Sequence, residues 1–132
     1  MARDTKVPRY KVAYGTKNMA KGPAMTREEA VRALETGIAV AEEKIAAGYQ
    51  LMATGEMGIG NTTTSSAMAA VFLNQPVPEL TGRGAGLSSE GLARKIAAIE
   101  KAIAINQPDP SDPIDVLAKV GGFDIAGMAG VF

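Results

Sequence analysis

Tyr49-Gln50-Leu51-Met52-Ala53-Thr54-Gly55-Glu56-Met57-Gly58-Ile59-Gly60-Asn61-Thr62-Thr63-Thr64-Ser65-Ser66-Ala67 is the segment on which the reading of this chain turns. It passes from a short run with strand character, Tyr49 to Ala53, through a glycine-rich turn into an apolar run with helical character that reaches Leu73. Such a turn gathers backbone N–H groups at the positive end of a helix dipole, an arrangement suited to a phosphate or carboxylate. Its glycines accept positive φ and let an anion approach the backbone. Glu56 is the odd member, better suited to a cation, a sugar hydroxyl or a proton.

Upstream, Thr26-Arg27-Glu28-Glu29 matches the capping box, with Thr26 as N-cap and Glu29 reaching back. Val31, Leu34, Ile38, Ala41 and Ile45 recur at helical spacing and predict one buried face. The predicted helix runs from Arg27 to Ala47, with Gly48 as its left-handed C′ residue. Tyr10 to Tyr14 alternates weakly and reads as a strand. Strand, helix and the second strand at Tyr49–Ala53 then form a right-handed βαβ unit with parallel strands. Ligands bind beyond the carboxyl ends of such strands, where the glycine turn lies.

Downstream, the helix starting near Thr62 is expected to stop before Pro76, and a second glycine cluster follows at Thr81–Gly86. Ser88 or Ser89 caps a helix reaching about Asn106, with Leu92, Ile96, Ile99 and Ile103 as its buried stripe. Asp112 and Pro113 occupy the N-cap and N1 positions of a short helix. Val120–Phe123 turns the chain, and a last apolar helix opens with Asp124 as N-cap candidate.

Two strands are too few for a sheet covered on both faces. The expected fold is therefore α/β: a partial, helix-rich Rossmann-like three-layer arrangement with parallel strands, completed by a longer protein or another copy. No linker divides residues 1–132, which read as one incomplete nucleotide-binding domain.

The chain has 132 residues, 14 basic and 14 acidic side chains and a formal net charge of zero. No net field of one sign draws it to nucleic acid or an anionic membrane. With neither cysteine nor histidine, disulfides, thiolate nucleophiles and Cys/His zinc sites are excluded. Acid–base chemistry falls to Glu, Asp, Lys or Tyr. No metal and no cofactor is expected. The first residues carry no apolar run, and no stretch reaches the roughly 18 apolar residues of a membrane span. A cytoplasmic location is the default.

Gly55 to Thr62 has the spacing of a P-loop but carries Asn61 where that motif needs lysine, which disfavours nucleoside triphosphate chemistry. The turn reads either as a tight connection or as a phosphate and ribose site, and Glu56, Asn61 and the three threonines favour the site. Arg83 is a clamp for an anion or a solvated loop arginine. Lys95 reaches the sheet edge or lies on the surface. Gly127-x-x-Gly130 is a weak mark of close helix packing.

Gly55-Glu56-Met57-Gly58-Ile59-Gly60-Asn61-Thr62-Thr63 resembles the signature of the nicotinate-nucleotide–dimethylbenzimidazole phosphoribosyltransferase family. Pro23–Thr26, Gly82–Leu87 with Gly91–Lys95, and Asp112–Gly127 agree in order and approximate spacing. The resemblance covers nearly the whole chain from about Tyr10 onward.

It implies a Rossmann-like domain with a smaller helical part, assembled as a homodimer and acting in cobalamin biosynthesis. The implied reaction transfers the phosphoribosyl group of nicotinate mononucleotide to 5,6-dimethylbenzimidazole, giving α-ribazole 5′-phosphate and nicotinate. A phosphoribosyl transfer develops positive charge on the ribose, so phosphate and ribose must be fixed with a carboxylate nearby. Laid on the matching positions, the backbone of Gly58, Ile59, Gly60 and Asn61, with the Thr62 hydroxyl, takes the phosphate or ribose. Glu56 orients the ribose hydroxyls or the base and is the candidate catalytic carboxylate, while Lys95 supplies a cation. The family it resembles is longer at both ends, and its general base is a glutamate near the C-terminus with no counterpart here. The chain thus corresponds to the middle of such an enzyme, with a further part expected after Phe132. Alone it is expected to have little or no transferase activity. The competing reading is a non-catalytic nucleotide- or phosphate-binding module.

Overall fold

The computed structural model describes residues 10–132. Among the described residues six helices follow in order: α1 (Arg27–Ala46), α2 (Asn61–Leu73), α3 (Val77–Leu80), α4 (Ser89–Asn106), α5 (Pro113–Val120) and α6 (Phe123–Val131). The Thr26 capping box is present, with the Thr26 side chain accepting from Glu29 N and Glu29 accepting from Thr26 N. At the other end Gly48, at φ +90°, donates to Ile45 O and Tyr49 donates to Lys44 O, which is the Schellman closure expected of a C′ glycine.

Short α5 organises the interior. Val116 and Val120 join Ala67 and Ala70 of α2, Val77 of α3, and Ile99 and Ala102 of α4 in one buried cluster. Leu117 and Ala118 face the other way, onto Met25, Ala30, Ala33 and Ala126, between α1 and α6. A helix buried on two sides needs firm ends. Asp112 supplies one, its Oδ1 accepting from Ile114 N and Asp115 N while Oδ2 takes Arg27 Nη1 at 2.6 Å.

Four expectations are corrected. Among the described residues no strand forms. Tyr10–Tyr14 is pinned to α1 by side chains instead, with Arg32 Nη2 donating to Val12 O at 2.7 Å and Tyr10 donating to Glu43 at 2.7 Å. Tyr49–Ala53 lies exposed, and an unpaired segment has no ladder to make it a strand.

The buried face of α1 is rotated from the expected one and keeps only Ala41 and the half-buried Leu34 of that stripe. Ala30, Ala33, Gly37 and Ala41 are buried, whereas Val31, Ile38 and Ile45 remain 36%, 45% and 60% exposed. The cause is a close crossing with α6. A Cβ on Gly37 would lie 2.1 Å from Gly127 O, and one on Gly130 would lie 2.0 Å from Leu34 O. Only small residues fit there, so bulky apolar side chains turn outward. Helix α6 begins with Gly122 as its N-cap, placing Asp124 in its first turn rather than at the cap. Helix α3 was not anticipated; Thr81 Oγ1 closes it by donating to Val77 O at 2.6 Å.

Candidate functional site

The turn before α2 is held by two left-handed glycines, Gly58 at φ +82° and Gly60 at φ +81°. Gly60 is the N-cap of α2 and offers no capping side chain, so the first amides of α2 have no intrahelical acceptor. Among the described residues, the Ile59 and Gly60 amides have no protein acceptor either. Opposite them stands the second glycine loop. Lys95, from α4, reaches between the two: its Nζ donates to Thr62 Oγ1 at 2.8 Å and to Gly82 O at 3.0 Å. Gly84 closes the approach, because a Cβ there would lie 2.9 Å from Thr62 Oγ1 and 3.6 Å from Lys95 Nζ. The open cleft between the two loops is about 310 Å³, and Gly58, Ile59, Gly60, Thr62, Arg83 and Lys95 line it.

Its electrostatics favour an anion. Lys95 is only 8% exposed, yet its oxygen partners are neutral. Among the described residues the ion pairs are Arg27–Asp112, Lys44–Glu43 and Lys119–Asp115, and none involves Lys95. An ammonium held by neutral oxygens, with no carboxylate beside it, leaves its charge available to an anion in the cleft. The dipole of α2 adds to the same field. Arg83 lines the cavity with its guanidinium occupied, donating to Leu87 O at 2.8 Å and Ser89 Oγ at 3.2 Å. It therefore braces the loop against the start of α4.

Six of the residues singled out in the sequence meet at this cavity: Gly58, Ile59, Gly60, Thr62, Arg83 and Lys95. Glu56 and Asn61 behave differently. The Glu56 carboxylate accepts from the Gly58 amide and is exposed, so one amide of the turn is already engaged by the turn itself. The Asn61 side chain turns to α6, donating through Nδ2 to Asp124 and accepting from Ser65 Oγ at 3.1 Å. Sequence reasoning missed the Gly82 carbonyl, the Gly84 wall and the Asp124 partner. No local spacing signals these, because each contact joins residues far apart in the chain.

A larger cavity of about 470 Å³ lies between α1, α6 and the Tyr10–Ala13 segment. Ala33, Val40, Phe123, Met128 and Val131 give it a mainly apolar lining, suited to an apolar body rather than a phosphate. Among the described residues no cluster of three or more Asp, Glu, His or Cys side chains is placed to hold a metal ion, and no helix is long and apolar enough to cross a membrane.

Comparison with known proteins follows the same residues. A protein-family model described as phosphoribosyltransferase matches residues 1–132. The chain belongs to this family. It is 65% identical over 121 residues to nicotinate-nucleotide–dimethylbenzimidazole phosphoribosyltransferase of Alkaliphilus metalliredigens, covering 92% of this chain and 35% of that protein. It is 62% identical over 121 residues to the protein of the same name from Geobacter sulfurreducens, covering 92% of this chain and 34% of the relative. The crystal structure of CobT from Thermus thermophilus superposes with a TM-score of 0.88 at 45% identity, over 99% of this chain and 39% of that one. The chain thus spans about a third of the length of the family members it matches, and within that span the helical framework is shared.

Proposed function

We propose that this chain binds the phosphoribosyl part of nicotinate mononucleotide. Within a longer polypeptide of its family, it would help transfer that group to 5,6-dimethylbenzimidazole, releasing nicotinate and forming α-ribazole 5′-phosphate. The observation that carries the proposal is Lys95, buried without a carboxylate partner and aimed between two glycine loops. In this reading the Ile59 and Gly60 amides and the Thr62 hydroxyl receive the 5′-phosphate while Lys95 supplies the counter-charge. Gly58 joins them when Glu56 releases its amide to meet the ribose hydroxyls or the base. Asn61 contributes its backbone, since its side chain is engaged elsewhere.

The finer fold reading belongs with this proposal. Tyr10–Tyr14 and Tyr49–Ala53 become parallel strands of a Rossmann-like sheet where other strands lie beside them, an event favoured by the exposed backbone of the second segment. Assembly as a homodimer is supported by the outward apolar row Val31, Ile38 and Ile45 on α1. A cytoplasmic location remains part of the reading.

A second reading, a binding module without turnover, is favoured by the engagement of Glu56 with its own turn. Calorimetry with nicotinate mononucleotide and with inorganic phosphate tests the shared claim. Lys95→Met should weaken both by on the order of tenfold or more, as loss of a charge-assisted contact predicts. Unchanged affinity in that variant sinks the site. Chromatographic detection of α-ribazole 5′-phosphate then separates enzyme from module.

A further inference from the structure

We propose that Asp124 is a positioning residue for the anion-binding turn, acting through the side chain of Asn61; the inference rests on the phosphate-site reading above. The turn is permissive by construction. Two of its residues are left-handed glycines with open space where a Cβ would stand, and its apolar side chains Met57 and Ile59 are 83% and 75% exposed. Glu56 holds the Gly58 amide from within the turn, and contacts outside the turn must fix where the Ile59 and Gly60 amides point. Among the described residues, two side-chain tethers at the start of α2 do so: Thr62 to Lys95, and Asn61 to Asp124.

The second tether has a built geometry. A carboxylate only accepts hydrogen bonds, so Asn61 must present its NH₂ to Asp124, and its carbonyl oxygen is left to accept from Ser65 Oγ. The amide orientation is thereby determined. Asp124 lies in the first turn of α6 and Asn61 is the first residue of α2, so the bond joins two helix N-termini. Two positive dipole ends brought together repel, and a carboxylate between them offsets that repulsion. Gly122 makes room, for a Cβ there would lie 2.3 Å from Asp124 Oδ1. The Asp124 charge does not face the phosphate cleft. Asp124 lines a separate cavity with Tyr14, Thr16, Thr64 and Gly122, whose lining shares only Gly60 with that cleft. It can thus hold the turn without adding negative charge to the lining of the anion cavity.

The test uses the chain as it is, with inorganic phosphate and nicotinate mononucleotide as probes and calorimetry as readout. Asp124→Ala should raise Kd on the order of tenfold, the scale of a lost hydrogen bond to a charged group. Asp124→Asn keeps an acceptor and should stay within about threefold. Asn61→Asp sets two carboxylates face to face and should weaken binding as Asp124→Ala does. The exchanged pair Asn61→Asp with Asp124→Asn recreates one carboxylate against one amide and should restore affinity, which a role in stability alone does not predict. Wild-type affinity in a folded Asp124→Ala, or failure of the exchanged pair to recover while it remains folded, overturns the proposal. Amide resonances recorded without ligand decide it independently. Shifts reaching Gly58–Gly60 on Asp124→Ala, and much smaller ones on Asp124→Asn, support it, and their absence refutes it. If the wild type binds neither probe, the phosphate-site reading fails, and this ligand-free arm still reports on the tether.

Discussion

Replacing Gly37 by alanine isolates the contact that sets the relation of α1 to α6. In an isolated helix this change stabilises by about 1 kcal/mol, because alanine is the better helix former. Here the new methyl would stand 2.1 Å from the Gly127 carbonyl oxygen and 3.0 Å from Gly130 Cα. Both are backbone atoms, so no side chain can swing away. The helices must part by roughly 1 Å to restore an ordinary contact, loosening the buried Ala30, Ala33 and Ala126 beneath them. Overpacking of this kind costs about 1–3 kcal/mol or more. Because the collision is backbone on backbone, we expect a net loss of about 2 kcal/mol after the propensity gain. Urea unfolding followed by circular dichroism should show the midpoint lowered by about 1 M, given slopes of about 1–3 kcal/mol/M for small domains. Gly127→Ala is the internal control. A Cβ at Gly127 meets nothing within 4 Å, so that variant should be neutral or up to about 1 kcal/mol more stable. A Gly37→Ala protein as stable as the wild type, or a Gly127→Ala protein equally damaged, refutes the close-crossing argument.

Gly60→Val should abolish phosphate binding and lower the unfolding midpoint while the chain still folds: space is open at that Cβ, but φ +81° is barred to a β-branched residue, so the strain falls on the turn. A bound phosphate with wild-type affinity by calorimetry would count against the turn as the site. Thr26→Ala removes the hydroxyl that accepts from Glu29 N and should cost about 1 kcal/mol in urea unfolding. The bond from Arg27 holds the Asp112 carboxyl below its usual range. A depressed folded-state pKa means that this contribution is complete above the unfolded value, about pH 4, and disappears as pH falls through the folded value. Asp112→Asn keeps the cap and loses the charge. Its stability should therefore decline less than that of the wild type below about pH 4, and parallel acid-unfolding curves would contradict the assignment.

Local signals proved dependable where the physics was local. The Thr26 capping box, the Gly48 closure, the Ser88 cap and the Asp112–Pro113 helix start each involve groups within a few residues, and each formed where its residues indicated. The glycine turn at Gly58–Gly60 was equally legible, since positive φ leaves a plain mark in residue choice. The two strands were not. Tyr10–Tyr14 and Tyr49–Ala53 carry strand character, but a strand exists only through hydrogen bonds to a neighbour, and among the described residues none stands beside them.

Helical periodicity placed the buried face of α1 only in part, for a related reason: Ala41 is buried and Leu34 packs against the core, but the other three residues of the stripe face outward. Periodicity weighs Val31, Ile38 and Ile45 by hydrophobicity, whereas burial was decided by how near α6 could come. The candidate site divides along the same line. Amino-acid order alone was enough to mark the glycine turn, its threonine and a lysine two turns into the following long helix. That Lys95 is buried, that Gly82 and Thr62 receive it, and that Asn61 is held by Asp124 became visible once the helices were packed. Spacing along a chain reports which groups share a helix face or a turn; which distant oxygen an ammonium meets depends on how those helices stack.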